Sequence, residues 1–358
     1  MATGGSKAAG GATATGGTPA TGGTTSTSTN PVTGPCDIYA AASPATPCVA
    51  AYSTTRVLYS KYTGPLYQVR AGGSATGTGG TLTDIGTISG GFADGAAQDT
   101  ACGSGACTIS LLYDQSGRGN NLKVAPAGCY TGGNANKPDN ESNAKGKSIN
   151  ISGHKVYALY MIPQDGYRNN SASGMPTGAT TGQGIYEIAD GSRTTNGQPV
   201  GNACCWDFGN ASTNNCNGGT MDALFFGTGY WGTGTGNGPW FMGDFEGGVW
   251  AGGTGASSAN NPNLPSSNVA FAFGTLKTDS SGYEIRVGNG TSGTVTTGYN
   301  GAAPKTLSNQ GGIILGIGGD NSNSSAGTFF EGAITTGRPS DATDALVLTN
   351  IQGAKYGQ

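Results

Sequence analysis

Two carboxylates stand two residues apart inside an otherwise apolar run, Gly238-Pro239-Trp240-Phe241-Met242-Gly243-Asp244-Phe245-Glu246-Gly247-Gly248-Val249-Trp250. In an extended chain, side chains alternate between faces. Trp240, Met242, Asp244 and Glu246 therefore share one face, and Phe241, Phe245 and Val249 take the other. Acids beside an aromatic suit a sugar, because the ring covers C–H surface while carboxylates bind hydroxyls or attack the anomeric carbon. Like charges this close raise at least one pKa, a perturbation more common at functional sites than at structural ones. A solvated strand face would show the same spacing.

A second candidate, Asp320, closes the glycine-rich run Gly312-Ile313-Ile314-Leu315-Gly316-Ile317-Gly318-Gly319-Asp320-Asn321-Ser322-Asn323. It stands where a strand leaves its sheet, and the preceding glycines allow a ligand to approach the backbone. Gly-Asp-Asn-Ser is also ordinary turn chemistry. The single histidine, His154, sits in a polar turn leading into a strand and reads as a turn residue, so Ser-His-Asp and Cys-His arrangements lack support. Hydrolytic chemistry then rests on the 20 Asp and Glu residues. Of the others, Asp99, Asp114 and Glu331 read as structural, Glu331 as a strand acid on a sheet edge, while Asp222 beside Met221 has no clear assignment.

Cys36 with Cys48, and Cys102 with Cys107, are natural short-loop pairs. Cys204 and Cys205 are adjacent. They either form a strained eight-membered ring, a rigid sulfur platform, or pair with Cys129 or Cys216, and sequence leaves both open. Eight cysteines without four-ligand zinc spacing fit an oxidising compartment. No Asp-x-Asp-x-Asp loop occurs, so no metal and no cofactor are expected.

Short strands must position these groups. Val57–Tyr59, Tyr67–Val69, Thr108–Tyr113, Lys155–Met161, Met221–Phe226, Trp240–Trp250, Val269–Phe273, Tyr283–Val287, Ile313–Ile317 and Thr328–Ile334 carry β-branched or aromatic residues between turn signals. Two segments read as helices, Pro47–Leu58 and Asp341–Lys355. The fold class is all-β, a sandwich or jelly roll. Residues 1–34 are Gly, Ala, Ser and Thr apart from Met1, Lys7, Pro19, Asn30, Pro31 and Val32, the composition of a flexible tether. One domain is expected over 35–358, with a leader either removed or left out ahead of the tether.

Charged residues make up 10% of the chain, Gly numbers 68, and the net charge is −3. There is no electrostatic footprint for nucleic acid or for an anionic membrane, and no apolar stretch of about 20 residues to span a bilayer. A neutral polymer is the easier partner. Asn150, Asn210 and Asn289 head Asn-x-Ser/Thr sequons.

From Gly34 to Tyr356 the chain resembles the catalytic domain of family 54 α-L-arabinofuranosidases. The likeness rests on Gly34-Pro35-Cys36-Asp37-Ile38-Tyr39, Ser53-Thr54-Thr55-Arg56, Ala97-Gln98-Asp99-Thr100, Tyr113-Asp114-Gln115-Ser116-Gly117, Gly166-Tyr167-Arg168-Asn169-Asn170, Ala203-Cys204-Cys205, Asp207-Phe208-Gly209-Asn210 and Ile313–Asn323. It implies a sandwich of the concanavalin-like glycanase type and a retaining, exo-acting enzyme that releases terminal arabinofuranose from arabinoxylan or arabinan, with Glu246 as nucleophile and Asp320 as general acid and base. It further implies that Asp244, Gly247, Gly248 and Gly319 bind hydroxyls, that Trp231 and Met221 line the pocket, and that Cys204 and Cys205 are bridged. A monomeric protein, secreted or surface-tethered, acting on arabinose-containing plant polysaccharides is the corresponding expectation.

The chain departs from that pattern in three respects. Family members carry amide side chains after the nucleophile, where this chain has Gly247 and Gly248. They commonly continue into an arabinose-binding β-trefoil, so weaker binding to branched polymer is expected of this chain. Cys129 and Cys216 have no counterparts there, and their pairing is open. The competing expectations are a lectin-like sugar-binding module on the same sandwich and an endo-acting jelly-roll glycanase with an open aromatic cleft.

Overall fold

The computed structural model describes residues 33–131, 136–195, 198–199, 203–216, 219–228, 231–245, 247–307 and 309–358. Among the described residues, eighteen strands pair into one continuous antiparallel sheet that folds over into two layers. In spatial order the first layer runs Thr81–Ile85, Tyr67–Ala71, Cys107–Leu112, Leu122–Val124, Tyr167–Asn169, Gly312–Leu315, Asp207–Ala211, Met221–Gly227, Trp240–Phe245 and Gly248–Trp250. The second runs Cys48–Ser53, Gly327–Thr336, Gln183–Ala189, Ala272–Asp279, Gly282–Asn289 and Ser292–Gly301. Ser142–Asn143 and Leu159–Met161 join the layers. The chain is an all-β sandwich, as expected.

The layers meet through aromatic side chains. Phe208 packs edge-on against Tyr52 and Phe329, and Phe245 against Tyr283, with centroids 5.0–6.2 Å apart. A Cβ on Gly274 would fall inside the Phe241 ring, so this position needs glycine for close approach of the layers. Phe241 and Phe245 therefore point into the sandwich, and the alternation read from sequence puts Trp240, Met242 and Asp244 on the outer face of the first layer. Val249 differs. The chain reverses after Phe245, and register pairs Val249 with Asp244, which gives Val249 the Asp244 face instead of the Phe245 face.

The segment expected as a helix over Pro47–Leu58 is instead the strand Cys48–Ser53, buried at all six positions and paired with Gly327–Thr336. An unbroken small and apolar run does not distinguish a helix from a strand covered on both faces. The helix lies one segment earlier, at Pro35–Ala41, with Pro at its first turn and Gly34 donating its backbone N–H to Asp37 Oδ2. Its neighbour Thr33 accepts from Asn350 through its carbonyl. A further helix, Gly95–Cys102, is capped by Asp94. The expected C-terminal helix is present as Asp341–Gly353, capped by Ser340.

The edge of Cys48–Ser53 is covered by the Tyr113–Gly117 motif. Asp114 Oδ1 accepts from Ala51 N at 3.0 Å, Gln115 N donates to Ala51 O at 2.8 Å, and Ser116 Oγ donates to Val49 O. Glu331 is not on a sheet edge. It is fully buried on Gly327–Thr336, between two neighbouring strands, and Arg56 grips it with two hydrogen bonds of 2.6 and 2.7 Å while Tyr356 donates a third. The role is structural, as expected, but internal. Disulfides join Cys36 to Cys48, Cys102 to Cys107, Cys129 to Cys216 and Cys204 to Cys205, and no described cysteine is free.

Candidate active site

Three neighbouring strands build the outer-face patch. Register sets Asp244 opposite Ala223 and Ala223 opposite Gly209, while Asp207, Phe225 and Met242 form the adjacent row. Directly opposed residues share a face, so Asp207 and Asp244 look the same way from strands separated by one. Met221, paired with Ala211 one row further on, packs with Ala125, Ala211, Ala223, Ile314 and Ile317 as a small apolar floor. Trp231 stands edge-on to Phe225 at 6.3 Å, which brings it to the same patch.

Asp320 enters from the turn after Gly312–Leu315. Its Oδ1 accepts from Ser322 N at 2.9 Å, and its side chain is half-buried. Arg168 holds this turn from beneath, donating to Gly319 O at 2.8 Å, Asn321 Oδ1 at 3.0 Å and Ser212 O at 2.6 Å. Burial pushes the Arg168 guanidinium down to about 10, against the opposing pull of Asp320 and Asp139. Gly319 has backbone of Gly219 and Thr220 within 2.9 Å of where a Cβ would be, so a larger residue would displace the turn. Tyr130 N donates to Asp320 O from the loop stapled by Cys129–Cys216.

The Cys204–Cys205 bridge flanks the same turn. Ser322 Oγ lies 3.3 Å from Cys204 Sγ and 3.4 Å from Cys205 Sγ, and Ser324 N donates to Cys204 O. Atoms of Cys205, Asp207 and Asp244 lie within 4.8 Å of one another. Because that sulfur is in a disulfide it offers no thiolate, and the trio lacks the donor set of a soft-metal site.

Electrostatics single out the same group. Asp244 is raised well above the ordinary aspartate range by burial and then by Asp320, while Asp207 and Lys305 pull it back. Asp207 is likewise raised well above that range, by burial and then by Asp244, Glu187 and Asp320. Lys305 lies with its ammonium 5.3 Å from the Trp250 ring centre and 3.4 Å from where a Cβ on Gly247 would stand. Gly247 has φ +82° in the hairpin turn, and Gly248 packs against Ser257 and Trp250.

Of the residues singled out in sequence, the structure brings Asp244, Asp320, Gly319, Cys204, Cys205, Met221 and Trp231 to one patch, with the Gly247–Gly248 turn at its end. Glu246 lies outside the described residues, as do residues 1–32 of the expected tether. Asp222 points the other way, into the sandwich, where Thr278 donates to it at 2.6 Å. His154 packs on Phe92 at 5.1 Å, away from this patch. Sequence reasoning missed Asp207, whose signal was an acid two residues after the paired cysteines at the head of an apolar strand. It also missed Arg168 and Lys305, and nothing around Lys305 pointed to it.

An outer sheet face with clustered acids, an aromatic and a sulfur platform, carried on a β-sandwich, has the chemistry that suits a carbohydrate ligand. A family model described as "Alpha-L-arabinofuranosidase B, catalytic" matches residues 35–357, and the chain belongs to that family. It is 46% identical over 334 residues to a probable alpha-L-arabinofuranosidase B of Aspergillus fumigatus, covering 91% of this chain and 63% of that protein. It is 45% identical to an arabinofuranosidase/B-xylosidase of Trichoderma koningii, again covering 63% of the relative. The chain thus spans somewhat under two thirds of these relatives. Among solved structures, a GH54 arabinofuranosidase soaked with a cyclic sulfate inhibitor superimposes with TM-score 0.82 at 42% identity, over 90% of this chain and 66% of that one. An arabinofuranosidase complexed with arabinofuranosyl-alpha-1,2-xylobiose matches equally.

Proposed function

We propose that the chain is the catalytic part of a retaining, exo-acting α-L-arabinofuranosidase that removes terminal arabinofuranose from arabinose-bearing plant polysaccharides. The observation that carries this reading is the convergence of Asp244 and Asp320 beside the Cys204–Cys205 bridge on one sheet face. Membership of the family and the arabinofuranosyl-xylobiose complex of a relative support it.

In this mechanism Asp320 protonates the leaving oxygen while Glu246 attacks the anomeric carbon and forms a covalent arabinosyl-enzyme. Asp320 then takes a proton from water, which displaces Glu246, so configuration is retained; the carboxyls of such a pair stand about 5–5.5 Å apart. Asp244 accepts from sugar hydroxyls, as do the backbones at Gly247, Gly248 and Gly319, while Met221, Trp231 and the disulfide face apolar parts of the ring. Ser322 and Arg168 keep the Asp320 turn in place.

The four disulfides accord with an oxidising, extracellular setting, and no described helix is long and apolar enough to cross a membrane. Secretion, a tethering role for residues 1–34 and a monomeric state belong to the same proposal.

The test is release of nitrophenol from p-nitrophenyl α-L-arabinofuranoside by wild type, Glu246→Ala and Asp320→Ala, with NMR of the first-formed sugar. Wild-type turnover with retained configuration, cut at least about a thousandfold in Glu246→Ala, is expected, a barrier change of about 4 kcal/mol. A folded but inactive wild type would point to a sugar-binding module, and full activity in both variants to other carboxylates.

A further inference from the structure

Asp207 has no part in the mechanism above, yet it lies against the residue proposed to hold the sugar. It is 1% exposed, Asp244 is 4% exposed, and carboxyl oxygens of the two lie within 4.8 Å of each other and of Cys205 Sγ. Both Asp207 oxygens are sealed from solvent, and no hydroxyl or backbone amide among the described residues reaches them. The polar group within reach is the Asp244 carboxyl.

Among the described residues, the charges that act most strongly on Asp207 come from acids: Asp244 from the Trp240–Phe245 strand, Glu187 from the opposite layer, and Asp320 from the turn. Glu187 is itself 0% exposed without a hydrogen-bond partner among the described residues, and burial pushes its carboxyl well above the ordinary glutamate range. Asp244 differs in one respect, since Lys305 draws on it from the hairpin end. Two buried carboxyls in contact share one proton, and the proton settles on the member with no cation beside it.

We propose that Asp207 is a positioning residue that keeps this shared proton and donates it to Asp244, so that Asp244 meets sugar hydroxyls ionised and in one fixed orientation. One Asp244 oxygen is then occupied by Asp207, and the other is left as acceptor for the ligand. Asp207 acts through Asp244 and touches no reacting atom. The inference rests on the site reading proposed above.

The experiment compares the full chain with Asp207→Asn, which keeps a neutral donor, and Asp207→Val, which does not. Values of kcat and KM for p-nitrophenyl α-L-arabinofuranoside are measured across pH, with thermal melting alongside. Asp207→Asn is expected to hold KM within about threefold and to keep the acid limb of kcat/KM. Asp207→Val is expected to raise KM about tenfold or more, with a smaller change in kcat, and to move the acid limb up by about one pH unit, because Asp244 has lost its donor.

Equal KM and acid limbs in both variants and wild type would overturn the inference, as would equal losses in both variants with an unshifted profile, the signature of a structural role. If Asp207→Val does not fold, infrared difference spectra of wild type and Asp207→Asn at neutral pH decide. A protonated-carboxyl carbonyl band lost in Asp207→Asn supports the pair, and its absence refutes it. The same spectra separate this inference from the glycosidase reading, which fails on its own if wild type releases no nitrophenol.

Discussion

Asp222 offers a measurement of how the sandwich treats a buried acid. Its carboxyl lies between the layers at 0% exposure, with Thr278 donating to Oδ2 and Oδ1 left without a partner. Burial pushes it up to about 7, against the opposing effect of its hydrogen bonds. In the unfolded chain the same group titrates near 4. Between those values the unfolded chain has released the proton while the folded chain still holds it, so wild-type stability falls as pH rises through this window. Three pH units at about 1.4 kcal/mol each give about 4 kcal/mol as an upper bound.

Asp222→Asn removes the titration and can still accept from Thr278. Equilibrium denaturation of both proteins at intervals from about pH 4 to pH 8, disulfides intact and followed by tryptophan fluorescence, isolates the term. The difference, variant minus wild type, is expected to rise with pH by up to about 4 kcal/mol and then to level off near pH 7. Any constant offset from the amide cancels in the slope. Parallel curves would refute the reasoning, and a difference that falls with pH would mean that Asp222 is ionised and stabilised in the fold.

Removing Arg56 strands Glu331. Arg56→Met is expected to lower unfolding free energy by about 3–5 kcal/mol in denaturant titrations, and adding Glu331→Gln to recover more than half, because an uncompensated buried charge is the main loss. The Cys129–Cys216 bridge closes 87 residues and Cys102–Cys107 only 5. Chain entropy gives about 4–5 kcal/mol for the first and about 2 kcal/mol for the second, so the double-serine variant of the longer bridge should lose roughly twice as much by the same titration.

What was legible in the sequence followed from periodicity. Alternation around Asp244 is correct because Phe241 and Phe245 bury against the second layer, and that demand fixes which way a strand faces. It failed at Val249, because a turn changes the partner of every later residue. The helix expected over Pro47–Leu58 failed for want of any local cue that Cys48–Ser53 is covered on both sides. Asp207 carried only a weak local signal and Glu187 none, because their meaning comes from strands far apart in sequence. Asn210 shows the same limit: its sequon is intact, but its Nδ2 donates to Pro176 O and Gln183 Oε1 inside the sandwich, which leaves no room for a glycan in the folded chain.

The acids also explain one another. Strands around the patch carry carboxyls on both faces, Asp222 and Glu187 inward and Asp207 and Asp244 outward, in a chain with few charges. If all were ionised, repulsion and desolvation would exceed anything the surrounding hydrogen bonds return. Burial pushes Asp222 up to about 7 and Glu187 well above the ordinary carboxylate range, which eases that conflict. Asp244 is the member with a cation at hand, through Lys305, and stands between the buried acids and the Asp320 turn. On the proton sharing proposed above, Asp244 offers a single fixed acceptor at the sheet face, and a neutral sugar rich in hydroxyl donors is the ligand best matched to it.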